Sequence, residues 1–256
     1  MKQIEVKILN PEVVKESEKM MVCAARLTQR GHKIKSLNDF MELYNQSYTE
    51  KTVDSMTSLP HPTIQKFGVI NAVVVGASRR FLAQITRHQN EVKFMSASLQ
   101  YSDYSGEADF VVPYEMFEET ALVKTMYLHS CKDAMENYQA AVKHGIDNDS
   151  AGYMAPQGLR NVLIISATPY QWKHMISQRI CRRNTPETRY VMLKLWEELY
   201  ALAPAFFSSD TTGPFCLKCS CREGKMTCCK PFWTGAVPTE IIEEDFPLLT
   251  RGNENE

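Results

Sequence analysis

The sequence predicts an α+β enzyme core, and two strand-then-helix units of the same grammar predict it. In the first, a β-branched run over residues 67–75 leads through Gly76 and Ser78 into a helix carrying Phe81, Leu82, Ile85 and His88. In the second, the β-branched run 161–167 leads into Thr168-Pro169, an N-cap followed by proline at the first helical position, and then into a helix ending at Arg179. A third observation concerns spacing. Gln84, Arg87 and His88 stand at i, i+3 and i+4, so a helix carries them on one face. An amide, a guanidinium and an imidazole on one face can grip an anion and a planar ring together. Arg179 brings a second guanidinium from the other unit. The pair of segments points to a phosphorylated, ring-bearing small molecule.

The remaining elements follow in order. Residues 4–9 alternate like a first strand, and residues 11–27 read as a helix with Val13, Val14, Met20, Met21 and Ala24 on its apolar face. A second helix is expected over 37–49. Residues 117–143 hold helical periodicity and stop at Gly145. Thr185-Pro186 opens a last core helix that ends near Pro204. Residues 205–256 read as irregular and finish in a polar tail expected to be disordered. The expected division is a catalytic domain over 1–204 and a cysteine-rich extension over 205–256.

With 256 residues the chain can bury a full core. Its 29 Lys+Arg against 30 Asp+Glu leave a net charge of −1, which points away from nucleic acid and membrane surfaces as partners. Any anion must be met by local arginines. The first residues lack the apolar run of a signal peptide, and the apolar stretches around 69–77 and 162–167 are too short to cross a bilayer, so the cytoplasm is the expected location.

Of the eight cysteines, Cys23, Cys131 and Cys181 are isolated, while Cys216, Cys219, Cys221, Cys228 and Cys229 crowd together. In a cytosolic chain such crowding favours metal ligation, with disulfides and free thiols as alternatives. Cys216, Cys219, Cys221 and Cys228 are the candidate ligands of a zinc ion. No histidine accompanies them, so the expected role is a structural clip.

These motifs resemble those of the flavin-dependent thymidylate synthases. Gln84-x-x-Arg87-His88-Gln89 is similar to that family's Gln-x-x-Arg-His-Arg segment, with Gln89 in place of the last arginine. Ser98-Leu99-Gln100-Tyr101 is similar to its Ser-x-Arg-Tyr segment, with Gln100 in place of arginine and one extra residue before it, which leaves Ser96 as an alternative to Ser98. Arg179, with Glu187 eight residues on, matches the spacing of a late Arg-x4-Ala-Gln-x-Glu stretch whose Ala-Gln is absent here. His61-Pro62-Thr63 resembles the family's His-x-Thr loop, and Cys23-Ala24-Ala25-Arg26 its early Ala-Ala-Arg segment. The likeness runs over residues 4–203. Thr168-Pro169-Tyr170 departs from the family's Asn-x-Arg.

The resemblance implies helices packed on a mostly antiparallel sheet, in a homotetramer with active sites between subunits. It implies FAD-dependent reductive methylation of dUMP, with methylenetetrahydrofolate as carbon donor and NADPH as electron source. Arg179 and Ser98 carry the implied catalytic roles. Gln84, Arg87, Ser98, Gln100, Tyr101 and Arg179 are the implied nucleotide contacts. His61, Thr63, Arg87, His88, Gln89 and His174 are the implied flavin contacts. The chemistry of the side chains agrees: arginines make charge-assisted, bidentate bonds to phosphate, and an amide offers both donor and acceptor to a uracil edge. The glutamines at 89 and 100 remove two positive charges, for which Arg79, Arg80, Lys93, Arg182 or Arg183 are the expected substitutes. Glu187 reads first as a favourable charge in a helix's first turn. Two other functions stay open: a sister flavoenzyme that modifies a related pyrimidine nucleotide, for instance by hydroxymethylation, and a non-catalytic nucleotide- or flavin-binding protein on the same scaffold.

Overall fold

In the computed structural model, β1 (Glu5–Ile8), β2 (Ile70–Ser78), β3 (Val92–Ser96) and β4 (Arg160–Ala167) form one antiparallel sheet in the order β1–β2–β4–β3. The structure describes residues 1, 4–104, 106, 108–118, 121–218 and 221–250. The two β-branched runs are the central strands, with Ile70 opposite Ala167 and Val73 opposite Ile164. Alternation sends Ile70, Ala72, Val74, Leu163, Ile165 and Ala167 into the core. The opposite face leaves Val75, Val162, Ile164 and Met95 exposed.

Eight helices of seven or more residues accompany the sheet among the described residues: α1 (Pro11–Arg30), α2 (Leu37–Asn45), α3 (Glu50–Thr57), α4 (Arg79–Ile85), α5 (Ala121–Lys143), α6 (Pro169–Arg179), α7 (Pro186–Leu202) and α8 (Pro238–Asp245). The helix expected over 37–49 stops at Asn45, and a further helix, α3, follows it over Glu50–Thr57. Ser36 and Asp39 form a capping box at the start of α2, the chain turns extended at Gln46, and Thr49 caps α3 afresh. The first central strand starts later than expected and runs on through Gly76. That glycine, at φ 79°, sits where the β2–β4 register slips between Val75 and Ala77. Gly76 thus makes a bulge inside the strand, and Ser78 alone caps α4, its side chain accepting from Phe81 N. Strand β3 was not among the predicted elements.

The main core gathers Phe81, Trp172, Met175, Trp196 and Leu199 against the sheet. A second cluster, with Phe110, Cys131, Met135, Tyr138 and Leu159, lies under α5. The extension differs from its irregular expectation. Phe206, Phe207, Phe232, Ile241 and Phe246 belong to the main core, and α8 lies along α7. Arg182 Nη2 meets Asp245 at 2.9 Å and Glu244 at 3.1 Å, its Nη1 donates to Lys230 O at 2.8 Å, and Arg189 pairs with the same Asp245. Arg182 is therefore consumed as a structural clasp, which removes it from the cations expected to meet a ligand. The polar residues 251–256 lie outside the described residues.

Candidate active site

The site begins where two helices start. Ser78 Oγ donates to Glu187 at 2.6 Å, and Ser78 N donates to the same carboxylate at 2.6 Å. Glu187 stands in the first turn of α7, so one carboxylate joins the N-termini of α4 and α7. Burial pushes its pKa up, opposed by the Ser78 hydrogen bonds and the nearby N-terminal amine. Its role is thus wider than a first-turn charge: it fixes the helix that carries the motif.

Helix α4 ends at Ile85, and Thr86 is its C-cap. The expected common helix face for Gln84, Arg87 and His88 is therefore corrected. Gln84 lies in the last turn, while Arg87 and His88 follow in a tighter turn closed by His88 N donating to Ile85 O at 3.1 Å. Arg87 is exposed, and His88 is turned inward to 7% exposure.

Arg179, the last residue of α6, holds this turn. Its Nε donates to His88 Nε2 at 2.8 Å, its Nη2 donates to Gln84 O at 2.8 Å, and its Nη1 meets Asn184 Oδ1 at 3.5 Å. Since His88 Nε2 accepts, the neutral ring carries its proton on Nδ1. Burial first, then the Arg179 and His174 charges, pull the His88 pKa down to about 4. Burial and the neighbouring Arg87 lower that of Arg179. The Gln84 carboxamide oxygen meets Thr188 Oγ1 at 3.5 Å. The two strand–helix units therefore converge on one polar cluster, as their shared grammar predicts.

Around it the predicted residues divide. His174 faces His88 edge-on, with ring centroids 6.0 Å apart, and Phe215 of the extension faces His174 at 6.4 Å. A cavity of about 500 Å³ opens beside them, lined by Pro62, Gln65, Tyr170, Lys173 and His174. Within it Lys173 Nζ donates to Gln65 Oε1 at 2.8 Å and lies 4.2 Å from the Phe206 ring centre. His61 and Thr63 are exposed on the short turn beside this cavity, and Gln89 is exposed past the motif. Ser98, Gln100 and Tyr101 are not brought to the Arg179 cluster by any hydrogen bond among the described residues. Ser98 Oγ accepts from Gln100 N at 3.1 Å, Leu99 packs on Gly152, and Tyr101 is 84% exposed.

The described cysteines do not assemble the expected zinc site. Cys219 lies outside the described residues, and among the described residues no three His, Cys, Asp or Glu side chains converge as ligands. The other thiols are free, and Cys228 Sγ is turned toward Lys230 O. Lys173, Glu187 and Phe215 are the residues that sequence reasoning under-read. Lys173 carried a signal, a cation inside an apolar helix stripe.

A family model described as thymidylate synthase complementing protein matches residues 11–205. The chain belongs to this family. The flavin-dependent thymidylate synthase of Geobacter sulfurreducens is 25% identical over 218 residues, which are 84% of this chain and 90% of that protein. The enzyme of the same name from Pyrococcus abyssi is 22% identical over 161 residues, 62% of this chain and 65% of its own length. Two solved structures share the fold. A UMP/dUMP methylase from Streptomyces cacaoi, bound with 5-Br dUMP, has a TM-score of 0.61 at 15% identity, covering 80% of this chain and 93% of its own. Thymidylate Synthase X from Helicobacter pylori, with FAD and dUMP, has a TM-score of 0.59 at 16% identity, covering 80% and 97%. The α+β fold with helices on an antiparallel sheet is thus the family's. The match to the family model ends at residue 205.

Proposed function

We propose that the protein is an FAD-dependent thymidylate synthase that reductively methylates dUMP, using methylenetetrahydrofolate and NADPH. The observation that carries this reading is the convergence of Arg179, His88 and Gln84 from the two strand–helix units of a family whose named relatives are flavin-dependent thymidylate synthases. The cavity beside His174 and Lys173 suits a bound flavin in size and in its mixed aromatic and cationic lining. Flavin, when bound, supplies the redox chemistry.

The chain's own residues then take these parts. Arg87, exposed and close enough to depress Arg179, presents its guanidinium to the nucleotide phosphate. Arg179 has two donors fixed on His88 and Gln84, so its Nη1, loosely set on Asn184, is the end that exchanges for a phosphate oxygen. Gln84 presents its amide NH₂ to the pyrimidine edge. His88, held neutral, offers Nδ1–H as a donor without adding charge, and His88, His174, His61, Thr63 and Gln89 line the flavin side. Ser98, Gln100 and Tyr101 complete a site from a second subunit.

A homotetramer supplies that second subunit, and the sheet supports it. Val75, Val162, Ile164 and Met95 form a continuous exposed apolar face, a surface that a further copy of the chain would cover. Residues 1–204 form the catalytic domain in this reading, and no described helix is long and apolar enough to cross a membrane. The expected location is the cytoplasm.

The test is anaerobic incubation of the purified protein with dUMP, methylenetetrahydrofolate, FAD and NADPH, followed by mass analysis of the nucleotide. A gain of one methylene group supports the reading. An added hydroxymethyl group means the sister chemistry, and an unchanged nucleotide with bound flavin means a binding protein.

A further inference from the structure

A cavity of about 530 Å³ lies between the segment that follows α6 and the extension that closes over it. Arg179 and Asn184 form part of its core wall, and Phe215, Arg222 and Lys230 part of the wall that the extension adds. Its charge is one-sided. Arg182 is neutralised by Asp245 and Glu244, whereas no ion pair among the described residues engages Arg183, Arg222 or Lys230, and Glu223 is the single carboxylate in the lining. The Arg222 guanidinium carbon lies 3.9 Å from the Phe215 ring centre. Such a stack orders a long side chain while leaving the in-plane N–H donors at its edge to bond an anion. Phe215 in turn meets His174, and His174 meets His88, which accepts from Arg179. Four side chains in contact thus connect the new wall with the candidate site.

We propose that this cavity is a binding subsite for the phosphate-bearing part of a nucleotide ligand, and that Arg222, held on Phe215, is the extension's own contribution to recognising it. The volume fits a ligand of that size, and Arg179, Arg222 and Phe215 line the same cavity, which supplies guanidinium donors and an apolar ring to one ligand. The ligand's identity as a nucleotide rests on the function proposed above; the anion-binding geometry does not.

The thiols of the extension make the subsite readable. Cys181, Cys216, Cys221 and Cys228 line the cavity, while Cys229, the next residue, does not. The full-length protein is alkylated with iodoacetamide in the presence of dUMP, FAD, NADPH or inorganic pyrophosphate, and each thiol is followed by mass spectrometry. The expected result is that at least one nucleotide, at ten times its dissociation constant, slows alkylation of Cys181 and Cys228 about tenfold while Cys229 reacts at an unchanged rate. Arg222→Ala should then need about tenfold more of that nucleotide for equal protection, the scale of one lost charged hydrogen bond, and Arg222→Lys less. Equal rates at Cys228 and Cys229 with every probe overturn the proposal, as does unaltered protection in Arg222→Ala. If that variant fails to fold, the contrast between Cys228 and Cys229 in the native chain decides alone. Protection by pyrophosphate but by no nucleotide overturns the nucleotide assignment. Thiol protection without nucleotide product refutes the reaction and keeps the subsite, whereas product with uniform thiol rates does the reverse.

Discussion

The segments 78–88 and 98–101 resemble the same family, yet the structure holds them in opposite ways. The first is clamped at both ends inside one chain, by Glu187 on Ser78 and by Arg179 on His88 and Gln84. The second is a loop whose hydroxyl serves its own turn and whose tyrosine stands almost wholly in solvent. A site built on rigid elements is set before the ligand arrives, and a loop is set by what it meets. Segment 78–88 is thus fixed within one chain, and on the proposed reading segment 98–101 is the part that a second copy of the chain would complete.

The sharpest way to break that contrast is Arg179→Ala. It removes the donor to His88, frees the Gln84 carbonyl and, on the proposed reading, takes away a phosphate ligand at once. Nucleotide affinity should fall by about 2–3 kcal/mol, the upper range for a charged hydrogen bond. Titration with dUMP reads this directly, and unchanged affinity would place Arg179 outside the binding machinery and leave it a purely internal brace.

Glu187→Ala comes next and acts on the other end of the clamp. It strands Ser78 N–H and leaves two helix N-termini without their shared carboxylate, so stability should drop by about 2 kcal/mol. Chemical denaturation measures it. Glu187→Gln, which keeps an acceptor for Ser78, should recover part of the loss.

A smaller effect is expected from acid. His88 is depressed to about 4 from an ordinary 6.5, so the unfolded chain binds this proton more readily than the folded one. The stabilisation from a neutral His88 is full above pH 6.5 and is lost as pH falls toward 4, a loss on the order of 1–2 kcal/mol once screening is allowed for. Protonated His88 cannot accept from Arg179, so in the folded chain the clamp opens only as pH approaches about 4. His88→Gln, which keeps an acceptor without titrating, should flatten the profile in denaturation scans between pH 4 and 7.

How much of this was legible follows the range of the interactions. The second central strand and the Thr168-Pro169 cap are local patterns that stand where the residues put them, with Thr168 Oγ1 accepting from Gln171 N, whereas the first central strand is displaced to Ile70–Ser78, through a bulge at Gly76. The early end of α4 was not legible, because residues 86–88 contain no glycine or proline to stop a helix, and it is Arg179, 91 residues away, that takes His88. Five residues of β3 are too few for alternation to register against the background. Helix α8 carries a proline at its start, but what sets it in place is Asp245 meeting Arg182 and Arg189 from 63 and 56 residues upstream, and no local pattern shows that pairing. Motif residues could be named from spacing; which of them meet within one chain could not.

The smallest effect tests the looser half of the comparison. Ser98→Ala and Tyr101→Ala remove side chains that contribute little inside one chain, since Ser98 Oγ caps only the Gln100 N–H and Tyr101 touches mainly water. Stability of the folded chain should change by less than about 0.5 kcal/mol in each. Nucleotide binding should nevertheless weaken in both, and more so at high protein concentration, where on the proposed reading the native chain assembles and a neighbour engages its loops. Dilution series of dUMP affinity, run beside sedimentation, separate the two outcomes. Variants with native stability, native assembly and native affinity would mean that 98–101 is an ordinary exposed loop, and that the clamped segment 78–88 with its cavities forms the whole site.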